Sequence, residues 1–323
     1  MHSFPEVYQL YRDQVNSVTF PSFPENLYDS ITYFMGHTGK SIRPVLCLMA
    51  NEVFSEIHAD AYITANAIEL FHNFTLVHDD IMDHSVLRRG QPTLHVKYGA
   101  RTAILAGDRL LIHAYMQLNK VAIIYREQIT ELFSDMTCKV CEGQQMDIDF
   151  EDKDIEAVSF TDYLTMITYK TSVLLGAAAR IGAIIGFANT RQQLQMYEFG
   201  KNIGIAFQIQ DDFLDAFGNT AQMGKQVGGD ILENKKTALL LKAFELADPQ
   251  QRVQLKNAMK ETGAHKVSTI LGLYKDLKID QWANDLITLY TEIGFNNLDS
   301  IDIPVHKKEK LAGLANSLLV RQS

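Results

Sequence analysis

Two stretches of this sequence carry the same arrangement of acids. His78-Asp79-Asp80-Ile81-Met82-Asp83 and Gln210-Asp211-Asp212-Phe213-Leu214-Asp215 both contain Asp-Asp-x-x-Asp. On a helix, residues four apart share a face, so Asp79 pairs with Asp83 and Asp211 with Asp215. Carboxylates stacked in this way repel, and the helix needs something to neutralise them. Both triplets lie in apolar periodic runs, near the predicted C-terminal ends of their helices, where the helix dipole also disfavours anions. One acidic stretch alone reads equally well as a solvated helix face. Two with identical spacing, the first followed by Arg88-Arg89, point to a bound cation. Oxygen-only donors suit Mg²⁺, with Mn²⁺ as a substitute, held by a few carboxylates and completed by substrate phosphates.

Phosphate calls for cations, and they occur at loops and helix ends. Lys40 and Arg43 are three apart at the start of a helix, Arg88-Arg89 follows the first triplet, and Lys225 and Lys235 flank the loop after the second. Lys170-Thr171 sits between apolar runs, an odd place for a solvated lysine. Each is ordinary surface charge when taken singly, although arginine adds bidentate phosphate geometry. Together they exceed what one diphosphate needs; two diphosphate substrates, one on metal and one on bare cations, would use them all.

Other motifs fail on spacing. Gly39-Lys40-Ser41 resembles the end of a P-loop, but Phe34 stands where its first glycine belongs, and Gly218 to Lys225 fails by one residue. Glu69-x-x-His72 lacks the second such pair that a di-iron bundle requires. His78-Asp79, with His72, His84 or His95, leaves a His-Asp metal phosphohydrolase open, yet that leaves the second Asp triplet unexplained. Cys138-x-x-Cys141 has no partner pair for zinc and reads as two small buried helix residues.

The elements that must position these groups are helices. Apolar residues recur at three- and four-residue spacing, while strand-like alternation is nearly absent. The pattern predicts helices over 3–17, 24–35, 39–56, 60–84, 93–99, 101–123, 124–149, 160–187, 190–217, 235–247, 249–262, 266–293 and 306–321. The polar breaks at 151–159 and 218–234 are long for a compact bundle and read as lids. The fold class is all-α, a single domain over 1–323 with both Asp-rich helices central. A net charge of −9 argues against general nucleic-acid binding. The N-terminus lacks the features of a signal peptide, and the longest apolar stretch, Val173 to Ala188, is too short to span a bilayer and is broken by Arg180. An odd count of three cysteines fits a reducing compartment, so the predicted location is cytoplasmic.

From about Gly36 to Lys236 the chain resembles the trans-polyprenyl diphosphate synthases, which make farnesyl and geranylgeranyl diphosphate. The resemblance rests on Gly39-Lys40-Ser41-Ile42-Arg43-Pro44, Glu69-Leu70-Phe71-His72 and Leu87-Arg88-Arg89-Gly90-Gln91-Pro92-Thr93. Gly143-Gln144-x-x-Asp147, Lys170-Thr171, Phe207-Gln208 with the second Asp motif, Gly224-Lys225 and Asn234-Lys235 complete it. Thr38 departs from the family's second glycine, as does His84, to a lesser degree, from the pattern after the first Asp motif. The resemblance implies an isoprenoid-synthase bundle with a central cavity. It implies that Asp79, Asp83 and Asp211 ligate Mg²⁺, with Asp80, Asp212 and Asp215 as neighbouring or water-mediated ligands. Arg88, Lys170, Lys225 and Lys235 would hold an allylic diphosphate, with Thr171 and Gln208 near the reacting carbon. Lys40, Arg43, His72 and Arg89 would hold isopentenyl diphosphate.

Family members are typically homodimers, and the apolar helices between Thr93 and Ile124 offer the surface for one. An aromatic only at the fifth residue before the first Asp motif tends, in that family, to favour the twenty-carbon product. Here Phe74 is the fifth and Thr75 the fourth, with Phe71 deeper, which implies geranylgeranyl diphosphate ahead of farnesyl diphosphate. An ideal helix, however, puts Thr75 and not Phe74 under the aspartates. A class I terpene cyclase shares the first motif but normally carries a different second one. A non-catalytic subunit would have lost both.

Overall fold

The computed structural model describes residues 1–15, 20–37, 39–218 and 228–319. Thr38, Gly224 and Lys225 lie outside the described residues. The expected all-helical architecture is found, with a single two-stranded hairpin among the described residues. No described helix is long and apolar enough to cross a membrane.

The chain forms two compact units. The first comprises 1–133, 178–196 and 302–311; the second comprises 134–177, 197–301 and 312–323. The first unit is built on α4 (Ala59–Met82), which packs against α3 (Ile42–Phe54) and α6 (Ala100–Leu118). The helices α2 (Glu25–Gly36) and α5 (Leu94–Tyr98) lie against α6, and α1 (Phe4–Val15) against α3. The apolar spacing of α4 buries Ala61, Ile68, Phe71 and Val77 and leaves its last turn to the first Asp motif.

After α4, β1 (Leu87–Arg88) and β2 (Gln91–Pro92) pair antiparallel. Their turn is Arg89-Gly90, with φ of 55° and 75°, the left-handed pair that a tight two-residue hairpin requires. Two-residue strands are too short to show alternation, so the sequence pattern alone does not reveal them.

The helices α7 (Ile123–Asp152) and α10 (Thr190–Phe217) match those predicted over 124–149 and 190–217, and α9 (Val173–Ile185) is the later part of the one predicted over 160–187. In the second unit, α8 (Phe160–Ile167) packs on α12 (Ala238–Leu246), and α12 on α14 (Gly263–Asp276) and α15 (Ile279–Asp299). The short α11 (Gly229–Leu232) and α13 (Pro249–Ala258) both lie against α14, and α16 (Val305–Leu319) ends the described chain. The core here includes Ile209, Leu239, Leu255, Ile270, Tyr274 and Ala283.

Three expectations need correction. The helix predicted over 160–187 is interrupted by a π turn at Thr168–Ser172. The helix predicted over 266–293 is two helices, because Lys278 adopts φ 55° and redirects the chain without any glycine or proline. Cys138 and Cys141 are exposed on α7, not buried. Their three-residue helical spacing separates the Cβ atoms by about 5–6 Å, wider than the roughly 3.5–4.5 Å of a disulfide.

Candidate active site

In the first unit the Asp motif ends α4. Asp83 caps the helix, its N–H donating to the Asp79 carbonyl at 2.8 Å. Asp80 is buried, and Arg88 from β1 donates to its Oδ1 through Nε at 2.9 Å and Nη2 at 2.6 Å. Burial raises the Asp80 pKa, and Arg88 opposes that rise. Asp80 Oδ2 has no hydrogen-bond partner among the described residues. The middle acid of the motif is thus fixed to the hairpin, which orients the helix turn carrying Asp79 and Asp83.

A second group of polar side chains lies between α3 and α4. Arg43 Nη1 donates to His72 Nε2 at 3.0 Å. A guanidinium can only donate, so Nε2 carries the lone pair and His72 is neutral. Burial, then the charges of Arg43, Arg89 and Arg88, hold its pKa well below the ordinary value. The same arrangement excludes His72 as a metal ligand of the phosphohydrolase type, since Arg43 occupies that lone pair. Arg43 is itself lowered to about 10 by burial, against Glu69, and stays charged at neutral pH. Glu69 is buried one helical turn before His72 and accepts from Ser41 Oγ at 3.3 Å. Arg89 donates to the His37 carbonyl and lies across Gly39, where a Cβ would come within 2.7 Å of Nη2. Lys40 is exposed just before α3.

The aromatic residues upstream of Asp79 do not stack in a line. Phe74 meets the His78 ring edge-on at 4.8 Å and Phe71 at 5.6 Å. His78 Nε2–H in turn donates to the Ile104 carbonyl at 3.1 Å, and its ring lies over Gly107 of α6, where a Cβ would collide with it. Phe74 therefore leans toward α6. Thr75 turns its hydroxyl back to the His72 carbonyl at 2.8 Å.

In the second unit the Asp motif lies in the last two turns of α10. Asp212, the middle acid, is buried and accepts from Tyr163 Oη at 2.6 Å and from the Ala238 N–H at 3.2 Å. Burial pushes its pKa up to about 7, Tyr163 opposes this, and Asp230 adds to it. The carboxylate pins α8 and the start of α12 to α10. Asp211 is exposed, and Asp215 is half-buried with its Oδ2 accepting from the Asp230 N–H at 3.0 Å. Burial and Asp230 raise the Asp215 pKa. Lys235 contacts Asp230 at 3.3 Å and Glu233 at 3.1 Å. Burial disfavours its charge, but these two acids outweigh that and raise its pKa.

The π turn explains the misplaced lysine. It widens the helix at Lys170, whose Nζ donates to Asp147 Oδ2 at 2.6 Å. Its backbone presses on Gly143 of α7, where a Cβ would lie 2.8 Å from Lys170 Cα. Thr171 Oγ1 donates to Gln208 Oε1 at 3.3 Å, and Gln208 Nε2 reaches Asp212 Oδ1 at 3.4 Å. Thr171 and Gln208 are thereby joined to the second Asp motif, while Lys170 is paired with Asp147.

The donors fit Mg²⁺: they are all oxygen and come in pairs four residues apart. Among the described residues no three His, Cys, Asp or Glu side chains form a cage of their own. Paired carboxylates completed by phosphate and water suit this ion better than a closed site would.

The family model for polyprenyl synthetase matches residues 24–277. The chain belongs to the polyprenyl synthetase family. It is 33% identical over 313 residues to a short chain isoprenyl diphosphate synthase of Methanothermobacter thermautotrophicus, covering 96% of this chain and 94% of that one. It is 36% identical over 312 residues to a geranylgeranyl diphosphate synthase of Sulfolobus acidocaldarius, covering 93% of each. A crystal structure of a geranylgeranyl pyrophosphate synthase superposes with a TM-score of 0.94 at 38% identity, covering 100% of both chains. This polyprenyl synthetase is a prenyltransferase.

Sequence reasoning did not assign Asp230 or Tyr163 to the site. Asp230 carried a signal, its five-residue spacing from Lys235 in a polar break. Tyr163 carried none, since its partner Asp212 is 49 residues away.

Proposed function

We propose that the chain condenses isopentenyl diphosphate with an allylic diphosphate, in one functional domain, and that its product is geranylgeranyl diphosphate. The observation that carries this reading is common to both Asp motifs. In each, the middle acid is anchored within the protein, Asp80 to Arg88 and Asp212 to Tyr163 and Ala238. That anchoring orients the flanking acids toward a cation.

Asp79, Asp83 and Asp211 would hold Mg²⁺, with Asp80, Asp212 and Asp215 as neighbouring or water-linked groups. When bound, the metal neutralises charge on the leaving diphosphate. Arg88, Lys170, Lys225 and Lys235 hold that diphosphate, and their fixed charges stabilise it as the allylic C–O bond breaks and the electron pair leaves with oxygen. Lys40, Arg43, His72 and Arg89 hold isopentenyl diphosphate. Its double bond attacks the allylic cation, and a proton is lost to the departed diphosphate. Neutral His72 can accept from Arg43 and still offer an N–H to phosphate, a role a protonated ring beside Arg43 would fill poorly. Thr171 and Gln208, held in one hydrogen-bonded chain with Asp212, border the reacting carbon.

We further infer a homodimer in the cytoplasm. Ile104, Leu105, Ile112 and Met116 form an exposed apolar stripe on α6, as expected for a face covered by a second copy. Sedimentation at micromolar concentration should give twice the chain mass, and a monomer would count against the dimer. The free thiols of all three described cysteines favour the reducing compartment.

The deciding experiment incubates the purified chain with isopentenyl diphosphate, Mg²⁺ and each allylic starter, and sizes the products by mass spectrometry. A twenty-carbon diphosphate that disappears in excess chelator is expected. A fifteen-carbon end product would shift the assignment to farnesyl diphosphate, and full turnover in chelator would refute the mechanism.

A further inference from the structure

Lysine is rarely buried, because removing its ammonium from water is costly. Lys266 on α14 is 2% exposed. Among the described residues its hydrogen bond is to the Leu232 carbonyl, at 3.0 Å. Leu232 ends α11, so the ammonium meets a carbonyl at the negative end of a helical turn. An apolar side chain of similar length would fill the same slot without the cost of burying a charge. The ammonium adds direction: it fixes one carbonyl in one place.

That carbonyl lies midway along a segment with site residues on either side. Asp215 accepts from the Gly228 N–H at 2.7 Å through its backbone and from the Asp230 N–H at 3.0 Å through its side chain. The Lys235 N–H then donates to the Asp230 carbonyl at 3.0 Å, and its Nζ pairs with the Asp230 carboxylate. Gly228, at φ 85°, packs on Val267, the neighbour of Lys266; a Cβ there would approach Val267 Cγ1 to 2.7 Å. The helix α14 thus holds the segment at Gly228 and at Leu232, while Asp215 holds its start.

We propose that Lys266 is a positioning residue for the reaction, anchoring the Gly228–Lys235 segment so that Asp230 and Lys235 face the metal-bound allylic diphosphate. The proposal rests on the reading that the second Asp motif and Lys235 serve that diphosphate. Lys266 touches no substrate and acts through Leu232.

The test compares Lys266→Met and Lys266→Arg with the intact enzyme in steady-state kinetics, varying Mg²⁺ and each substrate, with melting temperatures measured in parallel. In Lys266→Met the Mg²⁺ half-saturation and the allylic KM should rise roughly tenfold, the scale of one hydrogen bond from a charged donor. The isopentenyl diphosphate KM should stay near wild type, and Lys266→Arg should restore part of the change. Hydrogen exchange at the 228–235 amides should quicken in the methionine variant. Should that variant not fold, Val267→Ala, which loosens the packing at Gly228, should raise the same two parameters. Unchanged Mg²⁺ and allylic dependences, or an equal rise in both substrate KM values, would overturn the proposal. Asp211→Ala in the same assay separates the two layers. Its full activity would sink the functional reading itself, whereas its inactivity beside a silent Lys266→Met would sink only this inference.

Discussion

Replacing Gly143 by alanine should disable the enzyme far more than it destabilises it. The added Cβ would collide first with the Lys170 backbone nitrogen and lie 2.8 Å from both Lys170 Cα and the Tyr169 carbonyl carbon. Carbon atoms pack at about 3.5–4.0 Å, so α7 and the π turn must separate by on the order of 1 Å. Overpacking of this kind costs roughly 1–3 kcal/mol, but alanine regains about 1 kcal/mol of helix propensity over glycine. The net loss should be no more than about 2 kcal/mol, a few degrees in melting temperature for a chain of this size. The same shift moves the Lys170 backbone and strains its 2.6 Å contact with Asp147. A misplacement of about 1 Å in a positioned group can cost on the order of 10²-fold in rate. Steady-state turnover and thermal melting of Gly143→Ala, measured alone and in a Lys170→Ala background, form the assay. The rate loss should largely vanish in that background, because the glycine acts through the lysine. Wild-type turnover, or an equal loss in both backgrounds, would refute the reasoning.

Arg43→Ala should raise the KM for isopentenyl diphosphate more than that for the allylic partner, read by varying each substrate in turn; the reverse order would reassign the two diphosphate sites. Asp212 has a folded pKa of about 7, above its unfolded value, so its contribution to stability is fully present below about pH 4 and is lost as pH rises through 7. Denaturant titrations in chelator should therefore show the metal-free wild type losing stability between pH 5 and 8 relative to Asp212→Asn, by up to roughly 3 kcal/mol, and a constant difference would contradict the burial argument. Phe74→Ala should lengthen the product and Thr75→Phe should shorten it, as read by mass spectrometry; unchanged lengths in both would move the floor to Phe71.

The helices were legible because an apolar stripe at 3.6-residue spacing is what a bundle must bury, and the Asp motifs were legible because stacked carboxylates have no purpose without a cation. What escaped were features in which backbone conformation departs from local pattern. The Arg89-Gly90 turn, the π turn at Thr168–Ser172 and the left-handed Lys278 each change direction or pitch over a few residues. None of the three disturbs the apolar period of its neighbours enough to be noticed. Lys170 was conspicuous as a charge in an apolar run, yet the widened turn that accommodates it comes from tertiary packing on Gly143.

Within the site, legibility followed sequence distance. Arg88 lies 8 residues from Asp80, and the Asp motif pointed directly to it. Tyr163, Asp230 and Lys266 reach their partners across 49, 15 and 34 residues; Asp230 had only its spacing from Lys235 to mark it, and nothing in the local sequence of Tyr163 or Lys266 distinguishes them from ordinary helix residues. The two middle aspartates show the same limit from the other side. Spacing alone singled out the four-apart pair of each motif but assigned the middle acid no role of its own. Burial separates them: Asp80 and Asp212 each point into protein and hold a neighbouring element in place, a role that requires a partner and therefore a fold. The motif is thus two devices in five residues, an anchor at its second position and a flanking pair oriented by that anchor. On this view the anchor's removal should disturb the flanking pair's affinity for metal without removing a ligand, which distinguishes it from loss of Asp79 or Asp211.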